Sequence, residues 1–203
     1  MKIICIGRNY VEHALELNNP IPAEPVFFLK PDTSLIIRNR PFFYPEFSSN
    51  IHYEVELVLK IKKNGRHVHP DFAHAYFDEI GIGIDFTARD VQDKLKQKGL
   101  PWEAAKAFDG SAPIGNFMPV SRFQDIKNIR FSLHKNGEIV QEGNSGLMMF
   151  DFNSILVHVS KYVTLKMGDL IFTGTPVGVG PVKIGDRLEA FIEDERLLKC
   201  DVK

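Results

Sequence analysis

The sequence predicts a β-rich α+β domain, and three observations carry that expectation. Short apolar runs recur along the chain, broken at close intervals by Gly and Pro; helical periodicity is confined to a few segments; and strands do not alternate with helices as βαβ units require. Lys2 to Ile6 reads as a short buried strand that ends at Gly7 and leads into a helical pattern over Val11 to Leu17. The Pro-rich stretch from Pro20 to Pro25 stops that helix, and Val26 to Leu29 forms the next strand before Lys30-Pro31. Between Leu35 and Phe47 the apolar pieces are short and interrupted by Pro41 and Pro45.

The strand from His52 follows, with Asn64-Gly65 behind it as a hairpin signal. Ile80-Gly-Ile-Gly-Ile-Asp85 is a second apolar strand pattern. Thr87-Ala-Arg-Asp90 has capping-box spacing and predicts a helix running to about Lys98. Downstream, Ile129 to His134 and Glu138 to Gln141 flank Asn136-Gly137 as a type I′ hairpin, and Asn153 is placed to cap a helix with Ile155, Leu156, Val159 and Val163 on one face. Strands over Asp169 to Thr173 and Arg187 to Ile192 enclose a Gly/Pro loop.

Composition limits the function. At 203 residues, with 44% hydrophobic and 25% charged residues, the chain is an ordinary globular one, expected to be a single catalytic domain over 1–203. A net charge of −1 without a basic block argues against nucleic acid and an anionic membrane as partners. Cys5 and Cys200 have no metal or redox spacing and are expected to be reduced thiols. No segment approaches membrane-spanning length and the opening run lacks a signal-peptide pattern, so the expected location is the cytoplasm.

Three acids stand where apolar patterns do not call for them. In His52-Tyr-Glu-Val-Glu-Leu57 the strand period puts His52, Glu54 and Glu56 on one face, with Tyr53, Val55 and Leu57 on the other. Two carboxylates at roughly 5 Å repel by about 3 kcal/mol at an effective dielectric of about 20, so a proton or a cation must compensate them. Asp85 closes the second apolar run and supplies a third oxygen. Oxygen-only ligation by Glu54, Glu56 and Asp85 suits Mg2+ or Mn2+. The other reading is an amphipathic strand whose polar face, continued by Lys60 and Lys62, meets water.

Several stretches together carry a resemblance. Gly7-Arg-Asn-Tyr10 with His13 and Glu16, Phe28-Leu-Lys-Pro31, the His52 to Leu57 motif, Asp85-Phe-Thr-Ala-Arg-Asp-Val-Gln92, Lys106-Ala-Phe-Asp109 and Thr173-Gly-Thr-Pro-Val-Gly-Val-Gly180 resemble, in order, the fumarylacetoacetate hydrolase family. The likeness runs from about Ile3 to Val202 and is greatest to the short acylpyruvate hydrolase and oxaloacetate decarboxylase branch. It implies a mixed-sheet β-roll of the family's C-terminal-domain type, a homodimer, Mg2+ or Mn2+ on Glu54, Glu56 and Asp85, and a mobile lid at about 8–20.

The implied chemistry is C–C cleavage of a short 3-acylpyruvate, or decarboxylation of oxaloacetate, through an enolate of pyruvate beside the metal. An isomerase or hydratase of unsaturated dicarboxylic 2-oxo acids is the enzymatic alternative; a non-catalytic domain binding metal and oxo acids is the alternative of another class. His13 and Glu16, three apart, are neighbours if helical, so Glu16 can orient the imidazole as general base. The pair also reads as a solvated helix surface. Lys106 matches the family's active-site lysine, although a lone Lys is ordinarily a surface residue. For substrate binding the candidates are Arg8, Gln92, Gly174 and Thr175; an ion pair, a helix surface and simple turn chemistry, respectively, are their plain readings. Two residues depart from the family pattern: Ala107 where Gly or Ser is usual, and Phe86 where Val or Met is frequent. Neither removes a functional group.

Overall fold

The structure is a computed structural model that describes residues 1–16 and 20–203. Its framework is a curled seven-stranded mixed sheet built from β1 (Ile3–Gly7), β2 (Val26–Lys30), β3 (Leu35–Ile36), β5 (Val55–Ile61), β6 (Phe77–Ile84), β8 (Ala112–Pro119) and β11 (Leu170–Phe172), in the order β2-β1-β11-β5-β6-β8-β3. The β1–β11 and β3–β8 pairs are parallel and the remaining pairs antiparallel. A four-stranded antiparallel sheet packs against it, formed by β9 (Arg130–Lys135), β10 (Glu138–Asn144), β13 (Arg187–Ile192) and β14 (Glu195–Asp201) in the order β10-β9-β13-β14. A small third sheet joins β4 (Ile51–Tyr53) to β7 (Thr87–Ala88) and β12 (Gly180–Pro181). The helices are α1 (Val11–Glu16), α2 (Arg89–Gln97), α3 (Glu103–Lys106) and α4 (Phe152–Tyr162). None among the described residues is long and apolar enough to cross a membrane.

Alternation along the strands explains the layers. Leu57, Leu59 and Ile61 point from β5 into the main core with Ile80, Ile82, Phe131, Leu133, Leu188 and Ala190. Val58 points the other way into a second cluster with Ile3, Cys5, Ile114, Leu170 and Phe172. Both faces of β5 are therefore covered, and its acids do not meet water as an amphipathic edge would. Only Lys60 emerges, paired with Glu79 across the ladder at 2.6 Å. Cys5 and Cys200 are both free and buried.

Adjacent strands break at the same level, which creates the feature that positions the site. β4 gives way to β5 at Glu54, and β6 gives way to β7 at Asp85-Phe86. On one side of the break Val55 pairs with Ile84 in the large sheet; on the other, His52 pairs with Thr87 in the small one. The Asp85 N–H donates to the Glu54 carbonyl at 2.8 Å and closes the crease.

Some local expectations are met and others corrected. Asn136 (φ 56°) and Gly137 (φ 89°) form the I′-type connection between β9 and β10. Asn64-Gly65 is not a tight hairpin: a 3-10 helix at Pro70–Tyr76 intervenes before β6, and Gly65 bridges Leu165. Glycine is required there because a Cβ would lie 2.2 Å from the Tyr76 ring. The predicted capping box does not form. Thr87 Oγ1 donates to Glu54 instead, and Asp90 accepts from Ser48 and Ser49. Asp151, not Asn153, caps α4 through the Ser154 N–H. The α1 pattern was expected to reach Leu17 and the lid to run to about 20; residues 17–19 lie outside the described ones.

Candidate active site

Glu54, Glu56 and Asp85 converge at the crease. Each is at most 5% exposed, and they offer carboxylate oxygens all within 4.8 Å of one another. Three ionised acids at that spacing cannot remain uncompensated in a buried site. Three buried cations surround them. Lys106 Nζ donates to Glu54 Oε2 at 2.8 Å and to Asp85 Oδ2 at 2.7 Å. Lys30 Nζ lies 2.6 Å from Asp85 Oδ1. Arg89 Nη2 donates to Glu54 Oε1 at 2.6 Å, where Thr87 Oγ1 adds a second bond at 2.9 Å.

The acids are not equivalent. Burial pushes the Glu54 carboxyl upward, but Lys106, Arg89 and His13 outweigh it and hold Glu54 well below the usual carboxylate range. Among the described residues Glu56 accepts only the Gly174 N–H, at 2.6 Å. Burial and the neighbouring Asp85 push its carboxyl well above the ordinary value. Glu56 is thus the acid that holds a proton until a cation replaces it. Burial lowers the Lys106 ammonium, yet Asp85 and Glu54 raise it further, so Lys106 is charged. The donor set fits a hard divalent ion: it is all oxygen, and among the described residues Asp85 Oδ1 has no aligned hydrogen-bond donor and Glu56 makes no ion pair.

The helical pair is assembled beside these acids. His13 is 5% exposed, and its Nδ1 lies 3.1 Å from Glu16 Oε2. Glu16 Oε1 accepts the Gly178 N–H at 3.0 Å, which fixes the carboxylate against the glycine loop. A solvated helix surface is excluded for His13, which is buried. Gln92 is likewise buried, with Oε1 accepting from Arg89 Nη1 at 2.7 Å.

The glycine loop works inward. Gly174 (φ 103°) commits its amide to Glu56 rather than leaving it open to a substrate carboxylate. Thr175 is buried and its Oγ1 accepts from Gln141 Nε2 at 2.9 Å, while Gln141 Oε1 accepts from the Val55 N–H. Arg8, half-buried at φ 59°, makes no ion pair among the described residues; its guanidinium lies 5.9 Å from the Trp102 ring centroid. His52 does not orient an acid. Its Nε2 bonds Asn50, and burial together with Arg89 lowers its pKa to about 4, so the ring is neutral.

Local sequence pattern gives Lys30, Arg89 and Gln141 no place in the site and offers Thr87 only as a helix cap. The available signal for Lys30 was its charge at the end of an apolar strand, Val-Phe-Phe-Leu-Lys, where only a paired lysine can be buried.

Comparison with known proteins places this geometry. The fumarylacetoacetate (FAA) hydrolase C-terminal family matches residues 2–203. The chain is 42% identical over 201 residues to the mitochondrial oxaloacetate tautomerase FAHD1 of Bos taurus, covering 99% of this chain and 91% of that protein. It is 43% identical over 192 residues to the mitochondrial oxaloacetate decarboxylase of Dictyostelium discoideum, covering 94% and 88%. The solved fumarylpyruvate hydrolase of Pseudomonas aeruginosa, in complex with Mn2+ and pyruvate, superimposes with a TM-score of 0.93 at 35% identity, covering 100% of this chain and 89% of that one. With the family's motifs running the length of the chain and its fold reproduced, the protein belongs to the fumarylacetoacetate hydrolase family.

Proposed function

We propose that the protein is a divalent-metal-dependent enzyme acting on short 2-oxo acids that pass through an enolate, with oxaloacetate and short 3-acylpyruvates as its substrates. The observation that carries this reading is the charge balance of the buried site. Three carboxylates face three cationic side chains, so a divalent ion on Glu54, Glu56 and Asp85 would leave two positive charges uncompensated. That surplus matches a dianion, which is the charge of oxaloacetate and of the enolate of pyruvate alike.

Mg2+ or Mn2+ held there would supply Lewis-acid polarisation of the substrate's 2-oxo group. The chain's own groups do the rest. Lys106, locked between Glu54 and Asp85, holds a fixed positive charge at the site that costs no reorganisation as negative charge develops. Gln92 offers amide N–H groups to a substrate oxygen. His13 moves the proton: with Nδ1 on Glu16, its Nε2 takes a proton from water for hydrolysis or from C3 of oxaloacetate for enolisation. Tautomerisation, decarboxylation and hydrolysis, the reactions in the relatives' names, are each compatible with chemistry through an enolate, which supports this reading.

The test is a substrate panel with and without Mg2+ or Mn2+: oxaloacetate, followed both for loss of CO2 and for keto–enol exchange, acetylpyruvate, and a hydroxymuconate-type diene. Metal-dependent turnover of oxaloacetate or acetylpyruvate is expected. Turnover of the diene alone, or full activity after exhaustive chelation, overturns the proposal.

A further inference from the structure

Helix α2 carries Arg89, Gln92 and Lys96 at i, i+3 and i+7, one stripe of its surface. The first two are buried at the acidic triad, and Lys96 stands further out, half-buried. Its ammonium lies 6.0 Å from the centroid of the Trp102 ring, the same ring that Arg8 covers at 5.9 Å from the end of β1. Trp102 packs edge-on against Phe28 at 6.0 Å, and Lys106 Nζ lies 5.3 Å from the Phe28 ring. An aromatic wall thus runs from the buried lysine of the site to an outer pair of cations.

Neither Arg8 nor Lys96 makes an ion pair among the described residues. Of the acids that act on Lys96, Asp93 is on its own helix and Glu54 is already held by Lys106 and Arg89. Burial, then Arg89 and Arg8, draws the Lys96 ammonium below its ordinary pKa, so both arginines act on Lys96 as like charges. Two half-buried cations beside one indole, neither in an ion pair among the described residues, form a place for an anion.

We propose that Lys96 and Arg8, gathered over Trp102, form a subsite for the second carboxylate of a dicarboxylic 2-oxo acid, making Lys96 a specificity-determining residue. The inference rests on the oxo-acid reading above and names which oxo acids the site prefers. The axial rise from Arg89 to Lys96 is about 10 Å, more than a four- or five-carbon diacid spans, and the long, flexible lysine stem makes up the difference. A monocarboxylic acylpyruvate reaches the inner site but leaves the outer cations unpaired.

The experiment is titration calorimetry with Mg2+ present, using 2-oxoglutarate and 2-oxopentanoate, which have the same carbon count and differ by the terminal carboxylate. The unaltered protein should bind 2-oxoglutarate about tenfold more tightly, the scale of one charge-assisted contact at a partly exposed site. Lys96→Met should remove most of that gap with 2-oxopentanoate affinity unchanged, and Lys96→Arg should preserve it. Arg8→Met, on a different element, should narrow the gap independently. Equal affinity for the two acids, or equal weakening of both by Lys96→Met, overturns the subsite and leaves the oxo-acid reading standing. Failure of both acids to bind overturns the two together.

Discussion

Lys30 and Asp85, far apart in sequence and both fully enclosed, meet at 2.6 Å within the acidic cluster. The same ammonium donates to Ser111 Oγ and to the Ser111 carbonyl, each at 2.9 Å, and to the Phe86 carbonyl at 3.4 Å, so all three of its N–H groups are directed. Asp85 is thereby gripped from both sides, by Lys30 on one oxygen and Lys106 on the other. Such a pair offsets its desolvation only while both members are present.

Lys30→Met should therefore lower the stability of the metal-free protein by roughly 3 kcal/mol, the low end for a broken buried pair because Lys106 remains. Thermal unfolding measures it. Excess Mn2+ should recover part of the loss by replacing the missing positive charge. A Tm unchanged by the substitution would show that Asp85 does not depend on Lys30.

Metal affinity should rise with pH. Glu56 carries a raised pKa in the folded protein, so below that pKa a proton occupies the position a cation needs. Its contribution to stability has the opposite sense: it is fully present below the ordinary carboxylate range and is lost as pH climbs to the folded pKa, because the unfolded chain gives up this proton first. Mg2+ titrations should release one proton in this window, with affinity improving about tenfold per pH unit until Glu56 ionises. Calorimetry in buffers of different ionisation enthalpy counts the proton. Glu56→Gln should abolish both the release and most of the affinity.

His13→Ala should reduce kcat roughly a hundredfold to ten-thousandfold while leaving oxalate binding in Mn2+ within about twofold, since the imidazole moves a proton and does not hold the ligand. Glu16→Gln retains an acceptor for the Gly178 N–H, so it should fold normally and lose a smaller part of kcat. Parallel turnover and oxalate titrations separate the two effects. Undiminished kcat in His13→Ala would reduce the pair to a structural contact.

Gly174→Ala should destabilise the chain by about 2 to 4 kcal/mol. Its φ of 103° is one that side chains rarely adopt, and a Cβ would lie 2.6 Å from that of Asn9, whose side chain bonds the carbonyls of Phe150 and Thr173. The same change misdirects the amide that holds Glu56, so metal affinity should fall along with Tm.

How much of this was legible follows from what local sequence can encode. Strand period and misplaced charge exposed Glu54, Glu56 and Asp85, because an acid in an apolar run needs a reason to be there. Positive φ at Asn136 and Gly137 is a local demand, and the dipeptide announced it. The same logic failed at Asn64-Gly65, where the glycine answers a contact with Tyr76 rather than a turn. Thr87 abandoned its expected cap because a buried carboxylate, distant in sequence, is the stronger acceptor. The strands β8 and β14 were not anticipated: β8 carries Pro113, Gly115 and Pro119, and β14 mixes charge through its apolar positions. The crease itself was invisible, since no Gly or Pro marks Glu54, and the break is produced by two neighbouring strands changing sheets together.

That shared break makes the smallest sheet the weakest leaf of the molecule. β4 holds β7 and β12 through two residue pairs each, so little backbone bonding resists its opening. Its amides are where hydrogen exchange should begin, and because Glu54 and Asp85 are the hinge pins of that leaf, unbalanced charge among the acids and opening of the sheet are one cooperative event.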